Sequence, residues 1–401
     1  MTKSFAWLTF IAVAVLAASP ALAQDTLSIG FTATKTGALS EESLAQVRGF
    51  ELWRDEVNAA GGIKAGNKRY KIEFKNYDDE SQTVRAQELY ARLITQDKAQ
   101  LLFGPVSSGL NAMAAFVSEE NGKLMLSTAA DPKIFRLGNR NLFQMATPSN
   151  RSFAGAIAAL KARNPKARVA LVTKDDPFTR GVAQAARDLV KAEALTLVLD
   201  ETYSPSLADF APIVAKVVSS KAEALLGGGH VADGMALARA LHEHKAGLKW
   251  LTLLAAPDAP NFADLGDAAL GVSAPAQWAP QVAYKPDFGP TAQVFARRFS
   301  DKFKGAPTEL AAAGYASGLV LAQAIEKAGT VEPGKVAVAL NQIDATTLFG
   351  RVRFATDSKQ HGLQIAHEMI LRQWQRKAGR LGPEVISPVS AKTADALVVR
   401  F

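Results

Sequence analysis

Short apolar runs rich in β-branched residues alternate with helix-like stretches from Leu27 to about Gly271. This alternation constrains the fold more than any other feature, because strands separated by helices pair in parallel and are covered on both faces. On the first predicted helix, Phe50, Trp53 and Val57 recur at helical spacing. The sequence therefore predicts an α/β protein built on parallel sheets. The predicted strands are Leu27–Thr32, Tyr70–Tyr77, Gln100–Phe103, Lys123–Leu126, Leu142–Met145, Arg168–Thr173, Leu195–Asp200, Ala224–Leu226 and Trp250–Leu254.

Three irregular stretches interrupt this pattern: "FQMATPSN" (Phe143–Asn150), "SAPAQWAP" (Ser273–Pro280) and "FGRVRFATDSKQHG" (Phe349–Gly362). Two long helices are predicted between the second and third, near Asp287–Lys304 and Glu309–Ala328, and a strand-like "HEMILRQWQ" follows the third. The interruptions predict two Rossmann-like lobes joined by three hinge crossings. The predicted division is 24–146 plus 279–350 for lobe 1 and 147–278 plus 351–401 for lobe 2.

The first 23 residues have the features of a secretory signal peptide. Lys3 precedes an apolar run, and Ala21-Leu22-Ala23 forms a small-x-small cleavage site before Gln24. We therefore expect an exported protein in the bacterial periplasm. The chain has no Cys, which excludes disulfides, thiolate metal sites and an anchoring lipidated cysteine.

The formal net charge is +8, from 46 basic and 38 acidic residues. The basic residues are scattered and lack the interleaved aromatic residues of a nucleic-acid surface. Together with export, this argues against a nucleic-acid partner and indicates a solvated surface.

Two serines stand on a turn between a predicted strand and a predicted helix, in "LLFGPVSSG" (Leu101–Gly109). Ligands of open parallel sheets bind beyond the carboxyl ends of the strands, where helix N-termini expose N–H groups. One of Ser107 and Ser108 can cap the helix, which leaves the other hydroxyl for a ligand. The alternative is that both serines only cap and turn the chain.

The next strand repeats this layout in "KLMLSTAADPKIF" (Lys123–Phe135). The small residues Ala129 and Ala130 leave their backbone open to close approach. Asp131 precedes Pro132, a pairing typical of a helix N-cap, and we favour that role over ligand contact.

Several stretches of the chain resemble those of a known protein family. The stretches that carry the resemblance are "GFTATKTGALS" (Gly30–Ser40), "RGFELWRDEVNAAGGI" (Arg48–Ile63), "YDDESQTVRAQELYARLI" (Tyr77–Ile94), "LLFGPVSSG", "GKLMLSTAADP", "DDPFTRG" (Asp175–Gly181) and "GDAALG" (Gly266–Gly271). Their order and spacing are similar to those of the type I periplasmic binding proteins of ABC importers, in the Leu/Ile/Val-binding group with its relatives for amides and aromatic acids. The resemblance covers Leu27 to Trp374. It implies two hinged lobes that close on a small solute and deliver it to an ABC permease in the inner membrane, and we expect a monomer without cofactor or metal.

The resemblance also implies site residues. Ser108 matches the family's serine for the ligand carboxylate, and Ala129 matches a backbone contact. Phe178 stands where the family often has Tyr, and His230, in "GGGH", stands where aromatic residues often line the pocket.

One departure from the family concerns the solute's ammonium. The family's amino-acid binders hold it with an acidic residue of a second-lobe loop, and the matching stretch here is "LLAAPDAPNF" (Leu253–Phe262). The expected position falls near Ala255 or Ala256, with Asp258 a few residues on. If Asp258 does not reach the ammonium, selection turns toward an acid without an amino group or an amide, because an unpaired buried charge costs about 3–5 kcal/mol.

An enzyme is not expected. The chain has no G-x-S-x-G elbow and no Walker loop, and His242 and His244 are two residues apart on a predicted helix, so they point to different faces. Acidic pairs such as Asp78-Asp79 fall at strand ends, where capping explains them. A sensor that feeds a membrane receptor remains the alternative to an importer component.

Overall fold

Parallel strands with connecting helices make up the first part of the chain. The structure, a computed structural model, describes residues 25–136, 138–397 and 401, without the side chains of four residues: Arg136, Pro177, Phe178 and Pro260. The predicted signal peptide, residues 1–23, lies outside the described residues. The first elements are β1 (Asp25–Thr32), α1 (Ser40–Ala59), β2 (Ile63–Ala65), β3 (Lys68–Tyr77), α2 (Thr83–Thr95), β4 (Leu101–Phe103), α3 (Ser108–Glu120), β5 (Met125–Ser127) and β6 (Leu142–Gln144).

These six strands form one sheet in the order β2-β3-β1-β4-β5-β6. All neighbouring pairs are parallel except β2 with β3. The carboxyl ends of β1, β3, β4 and β5 therefore meet at one edge, which we call the first rim.

The second part of the chain repeats the plan. Its elements are α4 (Ala154–Arg163), β7 (Arg168–Lys174), α5 (Pro177–Ala192), β8 (Thr196–Tyr203), α6 (Ala211–Ser219), β9 (Ala224–Gly228), α7 (Val231–Glu243), β10 (Trp250–Leu253) and β11 (Ser273–Ala276). β7 to β11 pair in parallel, so their carboxyl ends form a second rim.

The chain then returns to the first sheet and finally to the second. The remaining elements are α8 (Ala292–Phe303), α9 (Glu309–Ala328), α10 (Pro333–Asn341), β12 (Asp344–Thr347), β13 (Gly350–Arg353), β14 (Ile370–Lys377) and β15 (Arg380–Ser387). β14 and β15 extend the second sheet antiparallel, in the order β15-β14-β11-β10-β9-β7-β8.

Helices α8 to α10 share one hydrophobic core with the first sheet. α9 lies so close to α1 that a Cβ added to Gly49 would stand 2.1 Å from the carbonyl oxygen of Ala311. On the other helix, a Cβ added to Gly318 would stand 2.1 Å from the ring of Trp53. Separate clusters fill the second lobe. The predicted α/β fold with two lobes and three crossings is confirmed.

Contacts near the third crossing bear on the predicted division. The N–H of Gln144 donates to the carbonyl of Gly362 (2.8 Å), and the ring of Phe354 lies 5.1 Å from that of Phe143. Residues 351–363 therefore lie against the first sheet, although the sequence assigned them to lobe 2. These contacts favour a third crossing after residue 363 rather than at 350.

Candidate functional site

The two-serine turn lies at the first rim, between β4 and α3. Ser107 is the N-cap of α3, and its Oγ accepts from the N–H of Leu110 (3.4 Å). Ser108 is the first helical residue, and its Oγ accepts from the N–H of Asp131 (3.2 Å). Within the described residues the structure shows no acceptor for the Ser108 hydroxyl hydrogen, so this group can donate to a ligand. One serine caps and the other bridges two rim loops.

A buried polar network that the sequence did not reveal holds this turn. The side-chain amide of Asn111 donates to the carbonyls of Pro105 and Ser107 and accepts from the hydroxyl of Ser127 (2.7 Å). From α1, the amide of Gln46 donates to the carbonyl of Gly104 (2.9 Å) and accepts from Thr128. The loops after β4 and β5 are therefore fixed to each other and to α1.

The loop after β5 differs in part from expectation. The N–H of Ala129 donates to Ser127 Oγ (3.0 Å) and its carbonyl accepts from Gln144, so both backbone groups serve the fold. The carbonyl of Ala130 accepts from Ser149. In the described part of the chain its N–H has no acceptor, so the N–H of Ala130 is better placed for a ligand than that of Ala129. Asp131 Oδ1 accepts from the N–H of Lys133 (2.9 Å) at the start of a 3-10 helix, Pro132–Arg136, which matches the capping role.

The second rim carries Phe178 and His230 on the N-terminal ends of two helices. Asp176 caps α5 by accepting from the N–H of Thr179 (3.0 Å), and Phe178 is the second residue of that helix. The Phe178 side chain lies outside the described part of the structure. His230 is the N-cap of α7, is mostly exposed, and has its Nε2 3.3 Å from Asp176 Oδ2.

A second polar cluster lies beside His230. Asp233 accepts from Lys174 Nζ (3.1 Å), from the hydroxyl of Tyr203 (2.5 Å) and from the backbone N–H of His230. Burial, and the hydrogen bond to Asp233, raise the pKa of Tyr203, which stays a neutral donor. This cluster, which the sequence did not predict, joins the ends of β7 and β8 to the first turn of α7.

Asp258 is engaged within its own lobe. Its Oδ1 contacts the guanidinium of Arg372 on β14, and the indole N–H of Trp374 fixes the same loop by donating to the carbonyl of Pro257 (2.9 Å). Burial lowers the pKa of Arg372 to about 10, so this side chain is still a cation at neutral pH. Ala255 has φ +52° and ψ −52°, with a hydrogen bond from the N–H of Ala256 to the carbonyl of Leu254, which makes a tight γ-turn.

Over residues 25–136, 138–397 and 401, no group of three or more His, Asp or Glu side chains is arranged to hold a metal ion. In the same part of the chain, no helix is both long and apolar enough to span a membrane.

Comparison with known protein families identifies the family of a chain that has these two rims. A family model described as periplasmic binding protein matches residues 26–380. The chain belongs to the periplasmic binding protein family. Members of this family bind solutes and are not enzymes, so this periplasmic binding protein is a substrate-binding protein of the ABC-transporter type.

Relatives of this periplasmic binding protein agree with the predicted resemblance to the Leu/Ile/Val-binding group. Leu/Ile/Val-binding protein BraC3 of Rhizobium johnstonii is 28% identical over 353 residues, which cover 86% of this chain and 92% of the relative. A putative branched-chain amino acid ABC transporter from Silicibacter pomeroyi has a similar structure, with a TM-score of 0.80 at 20% identity over 93% of this chain and 99% of the other. A solute-binding protein of an ABC transporter from R. palustris, in complex with 4-hydroxybenzoate, superposes with a TM-score of 0.68 at 19% identity, over 92% and 98% of the two chains. The type I fold and the family resemblance are both confirmed.

Proposed function

We propose that this protein captures a small carboxylate-bearing solute between its two lobes in the periplasm and delivers it to an ABC permease of the inner membrane. The observation that carries the proposal is that the two serines at the first rim have different roles. Ser107 caps α3, while Ser108 keeps a donor hydrogen at the positive end of the same helix. A carboxylate is the ligand group that this arrangement favours.

Binding starts at the first lobe. The Ser108 hydroxyl and the N–H of Ala130 donate to the solute's carboxylate, with about 1.5–3 kcal/mol for each hydrogen bond to a charged group. Micromolar affinity needs about 8 kcal/mol, so burial of the solute's apolar part supplies the rest. Closure then brings the second rim, with Phe178 and His230, over the solute. The permease recognises the closed form because the solute stabilises it.

The range of solutes follows from the same rims. One relative is named for leucine, isoleucine and valine, and one structural neighbour holds 4-hydroxybenzoate. Arg372 holds the Asp258 carboxylate here, which supports solutes that do not require it for an ammonium. We therefore place apolar or aromatic acids and amides beside branched-chain amino acids, and we take the protein to act as a monomer.

A binding screen tests the proposal. Isothermal titration with leucine, 4-methylpentanoate and 4-hydroxybenzoate compares acids with and without an ammonium. For any of them that binds, Ser108→Ala is expected to weaken affinity about tenfold or more, because one charge-assisted hydrogen bond is lost.

Ser118→Ala is the matched control. Ser118 lies in the same helix, and its hydroxyl donates to the carbonyl of Ala115 (3.1 Å), far along the helix from the rim. Its affinity is expected to equal that of the wild type. Equal affinity of Ser108→Ala and Ser118→Ala would refute the placement of the carboxylate.

A further inference from the structure

The three crossings between the lobes are joined by side chains rather than by packing alone. Thr147 lies on the first crossing, Gln277 on the second and His367 on the third. The N–H of Thr147 donates to Gln277 Oε1 (2.9 Å), and Gln277 Nε2 donates back to the carbonyl of Thr147 (3.1 Å). This reciprocal pair fixes the first crossing to the second at one residue.

The third crossing is attached at the same residue. The hydroxyl of Thr147 contacts Nδ1 of His367, and Nε2 of His367 lies 2.7 Å from the carbonyl of Phe349. Because a carbonyl can only accept, Nε2 carries the hydrogen and Nδ1 accepts from Thr147. The imidazole is fully buried and stacks on the Phe349 ring, with centroids 4.6 Å apart.

An anchor connects this arrangement to the first lobe. The backbone N–H of Gln277 donates to Oε2 of Glu309 (2.8 Å), in the first turn of α9, and α9 belongs to the first lobe's core. On the other side, a cavity of about 250 Å³ borders Thr147 and is lined by Gly155, Glu368 and Met369 among others. The crossings are thus held at the first lobe and have space to move on the second.

We propose that Thr147, Gln277 and His367 form a clasp that sets the equilibrium between open and closed lobes. A change in the angle between the lobes alters the relative positions of the crossings, and it therefore strains the clasp hydrogen bonds that join them. These three are positioning residues, because they act on the movement of the lobes and do not contact the solute. The inference rests on the proposed function, in which this movement captures the solute.

The distance between the lobes is the direct readout, and it needs no solute. The chain has no Cys, so two introduced cysteines take spin labels specifically. Val84→Cys, at an exposed position where α2 begins, labels the first rim, and Ala208→Cys, exposed after β8, labels the second. Electron–electron double resonance then gives the distribution of distances across the mouth.

Breaking the clasp is expected to shift the population of open and closed distances about fivefold, the effect of one net hydrogen bond. Gln277→Ala removes the reciprocal pair, and Thr147→Val removes the hydroxyl while it keeps the shape of the side chain. Gln293→Ala is the control, since Gln293 makes one hydrogen bond of the same type, to the carbonyl of Val282 (2.9 Å), and this bond joins α8 to the loop after the second crossing instead of joining two crossings.

Wild-type distances in both clasp variants would overturn the inference. This holds even if the variants melt at a lower temperature, because a merely structural role lowers stability without changing the distance between the lobes. If Gln277→Ala does not fold, Thr147→Val alone decides. Since no solute is present, this result is independent of whether the binding screen succeeds.

Discussion

At the scale of the residue, Ser107 combines two opposing effects. Its φ of +71° and ψ of 149° lie near a region that glycine populates readily and other residues occupy at a cost of about 1–3 kcal/mol. Its hydroxyl compensates in part, because an N-cap serine is worth about 1 kcal/mol over alanine. Backbone strain is thus stored beside the residue that we assign to the solute.

Glycine and alanine at this position are expected to act in opposite directions. Ser107→Gly relieves the strain and loses little capping, so the free energy of unfolding should rise by about 1 kcal/mol. Ser107→Ala keeps the backbone strain and loses the capping hydrogen bond, so the free energy of unfolding should fall by about 1 kcal/mol. Urea denaturation of the solute-free protein measures both, and a decrease in the glycine variant would show that the backbone is not strained.

The same scale shows what the sequence can say about a site. That one of the two serines caps α3, and that Asp131 caps the following turn, was predictable, because capping depends on neighbours within a few residues. The sequence did not say which serine would be the cap. The partner of Asp258 was not, since Arg372 is more than a hundred positions away and reaches it only through the sheet. The predicted contacts of Ser108, His230 and Phe178 with a solute stay predictions.

At the scale of the element, local pattern predicted the strands β1 and β3 to β10. All nine predicted strands form, with ends shifted by up to three residues. β11 was missed because "SAPA" has no β-branched residue, and its pairing with β10 and β14 is decided by tertiary contacts. β2, β12 and β13 are short and carry charged or polar residues instead of the apolar runs that marked β4 to β6, so they were missed as well. β15, which pairs with β14, was not predicted either.

Asn111 of helix α3 holds the two-serine turn, and its replacement is expected to destabilise the protein. Asn111 is fully buried and serves the carbonyls of Pro105 and Ser107 and the hydroxyl of Ser127. Asn111→Ala leaves these buried groups without a partner, so we expect the free energy of unfolding to fall by about 3 kcal/mol. Solute affinity should fall too, because the turn loses its support.

Asn121→Ala is the control for this helix. Asn121 is exposed at the C-terminal end of α3, and its amide donates to the carbonyl of Val117 (2.8 Å). Water can replace that bond, so the loss is expected to stay below about 1 kcal/mol. Chemical denaturation compares the two variants, and similar losses would mean that the buried network adds nothing.

At the scale of the whole molecule, the buried His367 at the third crossing contributes to the response of the protein to acid. Burial lowers the pKa of His367 to about 4; the hydrogen bond to the Phe349 carbonyl opposes this shift, and the nearby Arg151 adds to it. The unfolded chain binds the proton at about pH 6.5 and the native protein only near pH 4. The contribution of His367 to the free energy of unfolding is therefore complete above pH 6.5 and is lost as the pH falls toward 4, by about 3 kcal/mol.

His367→Gln removes this proton site while it keeps hydrogen-bonding atoms at the crossing. The variant is expected to be less stable at pH 7 but to lose about 3 kcal/mol less than the wild type between pH 6.5 and 4. Urea denaturation at several pH values measures the difference, with His242→Gln, at an exposed position of α7, as the control. Carboxylates titrate over part of the same range in all three proteins, so the difference between them isolates the histidine. Parallel loss in the wild type and His367→Gln would mean that the imidazole at the third crossing accepts its proton without leaving the native fold.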